Sequence, residues 1–185
     1  TGVMLGAALL ALAVGFGAIP AKADSLYIGD ISDNTVKRFD AKTGAYLGTF
    51  VASGSGGLAG PNGIIFVHNK LDVVNQNAGT VFNGNVLQYS GDYGAYLGPL
   101  FSDTDPNAPW DPRGIIRGSN QTVYVADFGN LPAEGKVSRF DDKTGKFLGN
   151  LDTTGFGHPF YPRGVVFGPG DVLYVSATGD LSAPD

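Results

Sequence analysis

Three polar residues precede short apolar stretches that have the composition of β-strands, and they are the first candidates for a binding site. Asn62, Arg113 and Arg163 each come directly before a glycine, in "PNGIIF", "PRGIIR" and "YPRGVVF". Two guanidinium groups that converge could hold a carboxylate or a phosphate through paired hydrogen bonds. The competing interpretation is that each arginine braces a neighbouring part of the scaffold. The recurrence of arginine at equivalent positions favours this structural interpretation.

Aromatic side chains lie in the loops that lead into the same stretches. The candidates for ligand contact are Trp110, His158 and Tyr161, with Phe156 and Phe160 beside them. Exposed rings next to arginine suit a sugar, a peptide or another ring-bearing ligand. The alternative is that the rings pack beneath the loops as part of the core, and the sequence leaves both interpretations open.

The loop before "PRGIIR" is rich in oxygen-bearing side chains, which are Asp103, Asp105, Asn107 and Asp111. The first three have the D-x-D-x-N spacing that begins a calcium-binding loop. An EF-hand is excluded, because Ala108 replaces the turn glycine and Gly114 occupies the position of the bidentate glutamate. A looser extracellular Ca²⁺ loop is the hypothesis that survives, and Ca²⁺ is the one cofactor that the sequence suggests. The plainer interpretation is a solvated turn.

Residues for catalysis are few. The chain of 185 residues has two histidines, His68 and His158, a single glutamate, Glu134, and no cysteine. It contains no G-x-S-x-G, no H-E-x-x-H and no phosphate-binding loop. The sequence therefore leans against an enzyme without excluding one.

Composition indicates an exported protein built from short strands. Twelve Lys and Arg against 17 Asp and Glu give a net charge of −5, which argues against a nucleic-acid partner. Twenty-nine glycines and only 16% charged residues suit strands joined by tight turns. The apolar run "VMLGAALLALAVGFGAIP", followed by "AKA", predicts that residues 1–23 are a signal peptide whose basic n-region is truncated. The alternative is a retained membrane anchor. Both interpretations predict export, as a secreted, periplasmic or cell-surface protein.

An internal repeat determines the predicted architecture. "RFDAKTGAYLG" at residues 38–48 returns as "RFDDKTGKFLG" at residues 139–149, with a diverged copy, "QYSGDYGAYLG", at residues 88–98. The glycines after the three polar candidates, Gly63, Gly114 and Gly164, are likewise about 50 residues apart. A repeat of this length with four strand-like runs per unit is typical of a propeller blade.

Turn residues within the repeat have predictable roles. Asp30 and Asp127 end the second strand of their units, where a carboxylate can accept hydrogen bonds from turn N–H groups. Gly44, Gly94 and Gly145 occupy the hairpin position between the third and fourth strands that commonly needs positive φ. Asp40 and Asp141 begin the hairpin and can close it with side-chain hydrogen bonds.

"PRGVVFGPGDVLYV" and "VYVADFGN…VSRFD…GKFLG" resemble NHL-type repeats. The resemblance implies an all-β fold, a β-propeller of four-stranded antiparallel blades. About three blades are expected, in an open, incomplete ring preceded by the N-terminal hydrophobic helix. The expected blades are residues 26–60, 61–111 and 112–161, with a further blade begun at 162–185. The middle copy departs from the pattern, since Asn75 and Asn77 occupy positions where aspartate is expected.

The leading functional hypothesis is an exported, non-enzymatic propeller that binds a protein, a carbohydrate or a small molecule through the loops entering its inner strands. The alternative, implied by resemblance to gluconolactonase-like and streptogramin-lyase-like propellers, is a metal-dependent hydrolase or lyase. In that case some catalytic residues would lie in blades outside this sequence. A membrane partner is expected only if the N-terminal segment is retained.

Overall fold

The computed structural model of the chain describes residues 24–131 and 133–179. The predicted signal segment, residues 1–23, lies outside the described residues. Within the described residues, no helix is long and apolar enough to span a bilayer.

The described residues form thirteen strands in four antiparallel sheets, each of which follows chain order. Sheet 1 contains β1 (Ser25–Asp30), β2 (Thr35–Asp40) and β3 (Tyr46–Val51). Sheet 2 contains β4 (Pro61–Val67), β5 (Lys70–Asn75), β6 (Asn85–Ser90) and β7 (Tyr96–Phe101). Sheet 3 contains β8 (Pro112–Arg117), β9 (Thr122–Asp127), β10 (Lys136–Asp141) and β11 (Phe147–Asn150). Sheet 4 contains β12 (Tyr161–Phe167) and β13 (Leu173–Thr178). The all-β prediction is confirmed: two complete four-stranded blades lie between two partial ones.

The hairpins between third and fourth strands join β2 to β3, β6 to β7 and β10 to β11. They have the predicted construction. Gly44, Gly94 and Gly145 have φ values of 72°, 69° and 68°, in the left-handed region that glycine adopts without steric cost. Asp141 accepts hydrogen bonds from the N–H groups of residues 143 and 144 at 3.1 and 2.8 Å. Asp40 makes the equivalent bonds in sheet 1. The repeated string therefore builds a hairpin.

The apolar core lies between consecutive sheets. Phe140 of sheet 3 is fully buried and stacks on Phe101 of sheet 2, with the ring centroids 4.0 Å apart. Tyr89 of sheet 2 is buried against residues of sheet 1 that include Val36 and Val51. These aromatic residues belong to the repeated strings or lie beside them, so the repetition supplies packing between blades.

Glycine brings the innermost strands of neighbouring sheets into close contact. A Cβ atom on Gly63 would lie 2.7 Å from the carbonyl oxygen of Arg113, and one on Gly114 would lie 2.7 Å from the carbonyl oxygen of Arg163. A real side chain at either position would collide with backbone. The starts of β4, β8 and β12 therefore lie side by side.

The second strands of the blades are β1, β5 and β9, and the third strands are β2, β6 and β10. The loops between them differ in length, whereas the strands that they join keep the same pairing register. These loops are residues 31–34, 76–84 and 128–135. The pairs Asp30–Thr35, Asn75–Asn85 and Asp127–Lys136 are matched across them. Because the strands are antiparallel, these loops emerge beside the starts of the innermost strands, and we call this side of the sheets the loop end.

Candidate functional site

Side chains at the ends of second strands hold the loops that enter their own sheets. Asp127 accepts hydrogen bonds from the backbone N–H groups of Trp110 (3.1 Å), Asp111 (2.8 Å) and Gly129 (3.1 Å). Asn75 occupies the equivalent position in sheet 2, and its Oδ1 accepts from the N–H of Ala59 at 2.7 Å. The predicted turn role of Asp127 is confirmed, and asparagine performs the same role in the diverged copy.

Arg113 and Arg163 meet at one aromatic ring. The guanidinium carbon of Arg113 lies 5.3 Å from the ring centroid of Phe128, and that of Arg163 lies 4.9 Å from it. Both distances are within the range of a cation–π contact. Phe128 itself is 8% exposed and packs on Tyr161, with the ring centroids 5.3 Å apart. The structure therefore brings together three of the predicted site residues, Arg113, Arg163 and Tyr161, around Phe128, which was not among the predicted site residues.

The two arginines differ in their other contacts. Arg113 donates to Asp111 at 2.6 Å, and Asp111 also accepts from Gln76 at 2.8 Å. Arg163 is exposed, and its Nε donates to the hydroxyl group of Thr178 at 2.8 Å. In the described structure its two terminal nitrogens have no hydrogen-bond partner. Arg113 thus braces the loop, as the structural interpretation expects, whereas the terminal N–H donors of Arg163 are not used within the described residues.

The remaining predicted contacts divide into exposed and buried groups. Asn62 is exposed, and its side chain forms no hydrogen bond within the described residues. Trp110 is 44% exposed, whereas Tyr161 is buried beneath the loop end. His158 is exposed and, with Glu134, lines a shallow cavity of about 490 Å³ that lies next to residues 153–159.

The residues of the predicted calcium loop have contacts within the protein. Asp105 accepts from the N–H of Asn107 at 2.8 Å, and Asp103 accepts from the hydroxyl of Ser102 at 3.2 Å. Asp111 belongs to the ion pair with Arg113. Within residues 24–131 and 133–179, no three histidine, aspartate or glutamate side chains lie close enough together to hold a metal ion. The calcium hypothesis stays a prediction.

A second charged cluster lies at the opposite end of the sheets, where sequence analysis placed no site. Asp142 is buried, and its Oδ2 accepts from the Nε of Arg117 at 2.5 Å. The Nε2 of His68 lies 3.2 Å from the same oxygen although its side chain is half exposed. Sheets 2 and 3 are therefore joined by a polar contact here as well as by their apolar core.

Asp72 lies in the same region and is also fully buried. Its Oδ1 accepts from Gln88 at 3.0 Å, whereas its Oδ2 is buried with no partner in the described structure. Burial raises the pKa of Asp72 to about 6, and the negative charge of Asp142 adds to the increase. A sequence signal existed, because aspartate interrupts the otherwise apolar strand "LDVV".

Solved structures similar to this chain show the fold. Hydrazine synthase from Kuenenia stuttgartiensis matches with a TM-score of 0.62 and 14% identity, over 85% of this chain and 42% of that one. A chain of the nidogen/laminin complex matches with a TM-score of 0.62 and 19% identity, over 84% of this chain and 53% of that one. A luciferin-regenerating enzyme matches with a TM-score of 0.52 and 17% identity, over 82% of this chain and 47% of that one.

This chain thus spans about half the length of these structures. They have β-propeller-type folds, and at such low identity the likeness shows the β-propeller fold alone. No protein-family model matches the sequence, and comparison with curated proteins gives no match.

Proposed function

We propose that this chain is the binding portion of an exported β-propeller, and that it holds an anionic ligand at the loop end. The observation that carries the proposal is the convergence of Arg113 and Arg163 on the ring of Phe128. A guanidinium that rests on an aromatic ring keeps its N–H donors, which lie in the guanidinium plane, available at its edge. Export rests on the apolar segment at residues 3–20.

Arg163 is the principal ligand-binding residue in this proposal. The charge of Arg113 is already balanced by Asp111, whereas Arg163 contacts only a hydroxyl group and the phenylalanine ring. Its guanidinium group presents two parallel N–H donors, which match the two oxygens of a carboxylate or phosphate better than the ammonium group of a lysine does.

The ligand class is a small molecule, carbohydrate or protein segment that carries a carboxylate or phosphate group. The overall net charge of −5 would repel such a ligand at long range. Binding therefore depends on the local arginines, and we expect it to weaken as the salt concentration rises. No catalytic step is assigned to the site.

Calorimetric titration with citrate and with inorganic phosphate tests the proposal. Arg163→Ala should weaken binding of the better probe about tenfold or more, since it removes charge-assisted hydrogen bonds worth roughly 1.5–3 kcal/mol. Arg163→Lys should retain binding only partly, because an ammonium group cannot present two parallel N–H donors. The melting temperature should hardly change, because Arg163 is exposed.

Arg113→Ala is the matched comparison. It removes the cation that pairs with Asp111 and leaves the contacts of Arg163 with Thr178 and Phe128 in place. We expect a lower melting temperature from Arg113→Ala than from Arg163→Ala. Full binding by Arg163→Ala, or a large loss of stability in that variant, would refute the assignment of Arg163 to the ligand.

A further inference from the structure

A small cleft at the loop end lies beside the arginine pair but has a different chemistry. It has a volume of about 200 Å³ and lies between residues 76–82 and the loop that ends at Asp111. Trp110 and Phe82 line it with aromatic surface, and both remain accessible, at 44% and 58% exposed. Gln76 and Thr80 supply polar groups to the same cleft. Exposed aromatic and polar groups thus meet in one concave site.

The wall formed by residues 76–84 is held in place by buried amide groups. The side-chain nitrogen of Asn75 donates to Asn77 at 2.7 Å and to Asn85 at 3.0 Å. Asn77 in turn donates to the carbonyl oxygen of Asn83, and all three of the linked asparagine side chains are buried. The N–H of Gly84 donates to the carbonyl oxygen of Pro109 at 2.9 Å, which ties this wall to the opposite loop. The cleft is therefore preorganised, so a ligand would not have to order the loop.

The charged groups at the polar side of the cleft are paired with each other. Gln76 donates to Asp111 at 2.8 Å, and Asp111 is paired with Arg113 at 2.6 Å. The amide oxygen of Gln76 and the hydroxyl oxygen of Thr80, whose own proton is donated to the carbonyl oxygen of Asn77, can accept hydrogen bonds from the hydroxyl groups of a ligand. A ligand that fits here has apolar ring faces and a periphery of hydroxyl groups.

We propose that this cleft is a binding subsite for one neutral pyranose unit of a saccharide. The C–H face of the sugar ring lies on aromatic surface from Trp110 and Phe82, while its hydroxyl groups reach Gln76 and Thr80. A volume below the roughly 300 Å³ of the smallest typical ligand pockets suits a single ring. An extended lipid chain would need a longer and less polar cleft. The inference goes beyond the anion site and does not depend on it.

The test uses Trp110 as a built-in reporter, because it is the only tryptophan in the chain. Its fluorescence and its quenching by acrylamide are measured during titration with cellotetraose, chitotetraose, maltotetraose and mannotetraose. At least one of these neutral saccharides should shift the emission and protect Trp110 from acrylamide in a saturable way. If all four leave both signals unchanged, the inference is wrong.

Variants separate this cleft from other binding surfaces. Phe82→Ala and Gln76→Ala should each weaken saccharide binding about tenfold, through loss of ring contact and of a hydrogen bond respectively. Phe82 is largely exposed, so its replacement should not disturb folding. Tyr93→Ala removes an exposed ring from a hairpin at the opposite end and should leave binding unchanged.

Arg163→Ala distinguishes this inference from the proposed function. It should weaken binding of the anionic probe about tenfold or more and leave saccharide binding intact. Saccharide binding that survives both Phe82→Ala and Gln76→Ala, or that is lost with Arg163→Ala, would place the sugar elsewhere and overturn the inference. Loss of anion binding alone would support the assignment of the saccharide to a separate cleft.

Discussion

Asp72 is a carboxyl group that the fold buries completely, and its ionisation should cost stability at neutral pH. One of its oxygens accepts a hydrogen bond from Gln88, and the other has no partner in the described structure. Asparagine has nearly the same shape and can still accept the bond from Gln88, but it cannot ionise. Asp72→Asn therefore removes the buried charge and keeps the packing.

The pKa of Asp72 sets the size and sign of the effect. Burial raises this pKa from 3.8 to about 6. The folded state thus binds the proton more tightly than the unfolded state. The stabilising contribution of the protonated carboxyl group is fully present below about pH 4 and is lost as the pH rises through 6. One pKa unit corresponds to about 1.4 kcal/mol, so the loss amounts to about 3 kcal/mol by pH 7.

Denaturant unfolding followed by circular dichroism at pH 4 and pH 7 measures the prediction. Relative to the native sequence, Asp72→Asn should gain roughly 2.4 kcal/mol of unfolding free energy between these two pH values, because the unfolded carboxyl group is already partly ionised at pH 4. Groups that titrate in both proteins cancel in this difference. If Asp72→Asn changes the unfolding free energy equally at both pH values, the buried carboxyl group is not the source of the pH dependence.

Asp152 is a control for which the pH dependence of stability should have the opposite sign. It is exposed, and hydrogen bonds from the N–H and hydroxyl groups of Thr154 hold the pKa of its carboxyl group below the usual range. Its contribution is present above the unfolded pKa and is lost as the pH falls. Asp152→Asn should therefore lose stability at pH 7 relative to pH 3, whereas Asp72→Asn gains stability as the pH rises.

Two further predictions concern the scaffold. Gly44→Ala should cost about 1–2 kcal/mol for its left-handed backbone, whereas Gly145→Ala should cost clearly more, because its Cβ would lie 1.8 Å from the carbonyl oxygen of Leu100. Equal melting temperatures for these two variants would contradict the close contact between sheets. Asp127→Ala should cost about 2–3 kcal/mol by leaving backbone N–H groups without acceptors, whereas Asp127→Asn should cost less, because its amide oxygen can still accept from Asp111 and Gly129 and only the N–H of Trp110 loses its acceptor. Denaturant midpoints decide this, and an Asn variant as unstable as the Ala variant would show that the negative charge is required.

Repetition made the strands and turns predictable. Residues such as Asp127 and Gly145 act through their own turns or adjacent loops, and their roles follow from local chain geometry. The blade architecture followed from the spacing of about 50 residues, since each unit needs its neighbour to cover an apolar face.

Contacts between repeats were not predictable, because they depend on which side chains face each other across sheets. Phe128 follows a turn aspartate, and nothing in its local sequence shows that it lies beneath two arginines from different sheets. Asp72 and Asp142 are 70 residues apart in the sequence, and only the packing of blades brings the two charges into one region. Periodicity identifies Arg113 and Arg163 as equivalent positions, whereas the residue between them, Phe128, is known only from the packing of the sheets.

The unequal loops at the loop end have a consequence for how such a protein can change. Residues 31–34, 76–84 and 128–135 join strands that keep the same pairing, so a loop can lengthen without moving the sheet beneath it. We therefore expect insertions in these loops to be tolerated, so that the surface of one blade can change while its strands stay paired. Residues 76–84 illustrate this, because they add one wall of the cleft to sheet 2 while β5 and β6 keep the same kind of pairing as the corresponding strands of the other sheets.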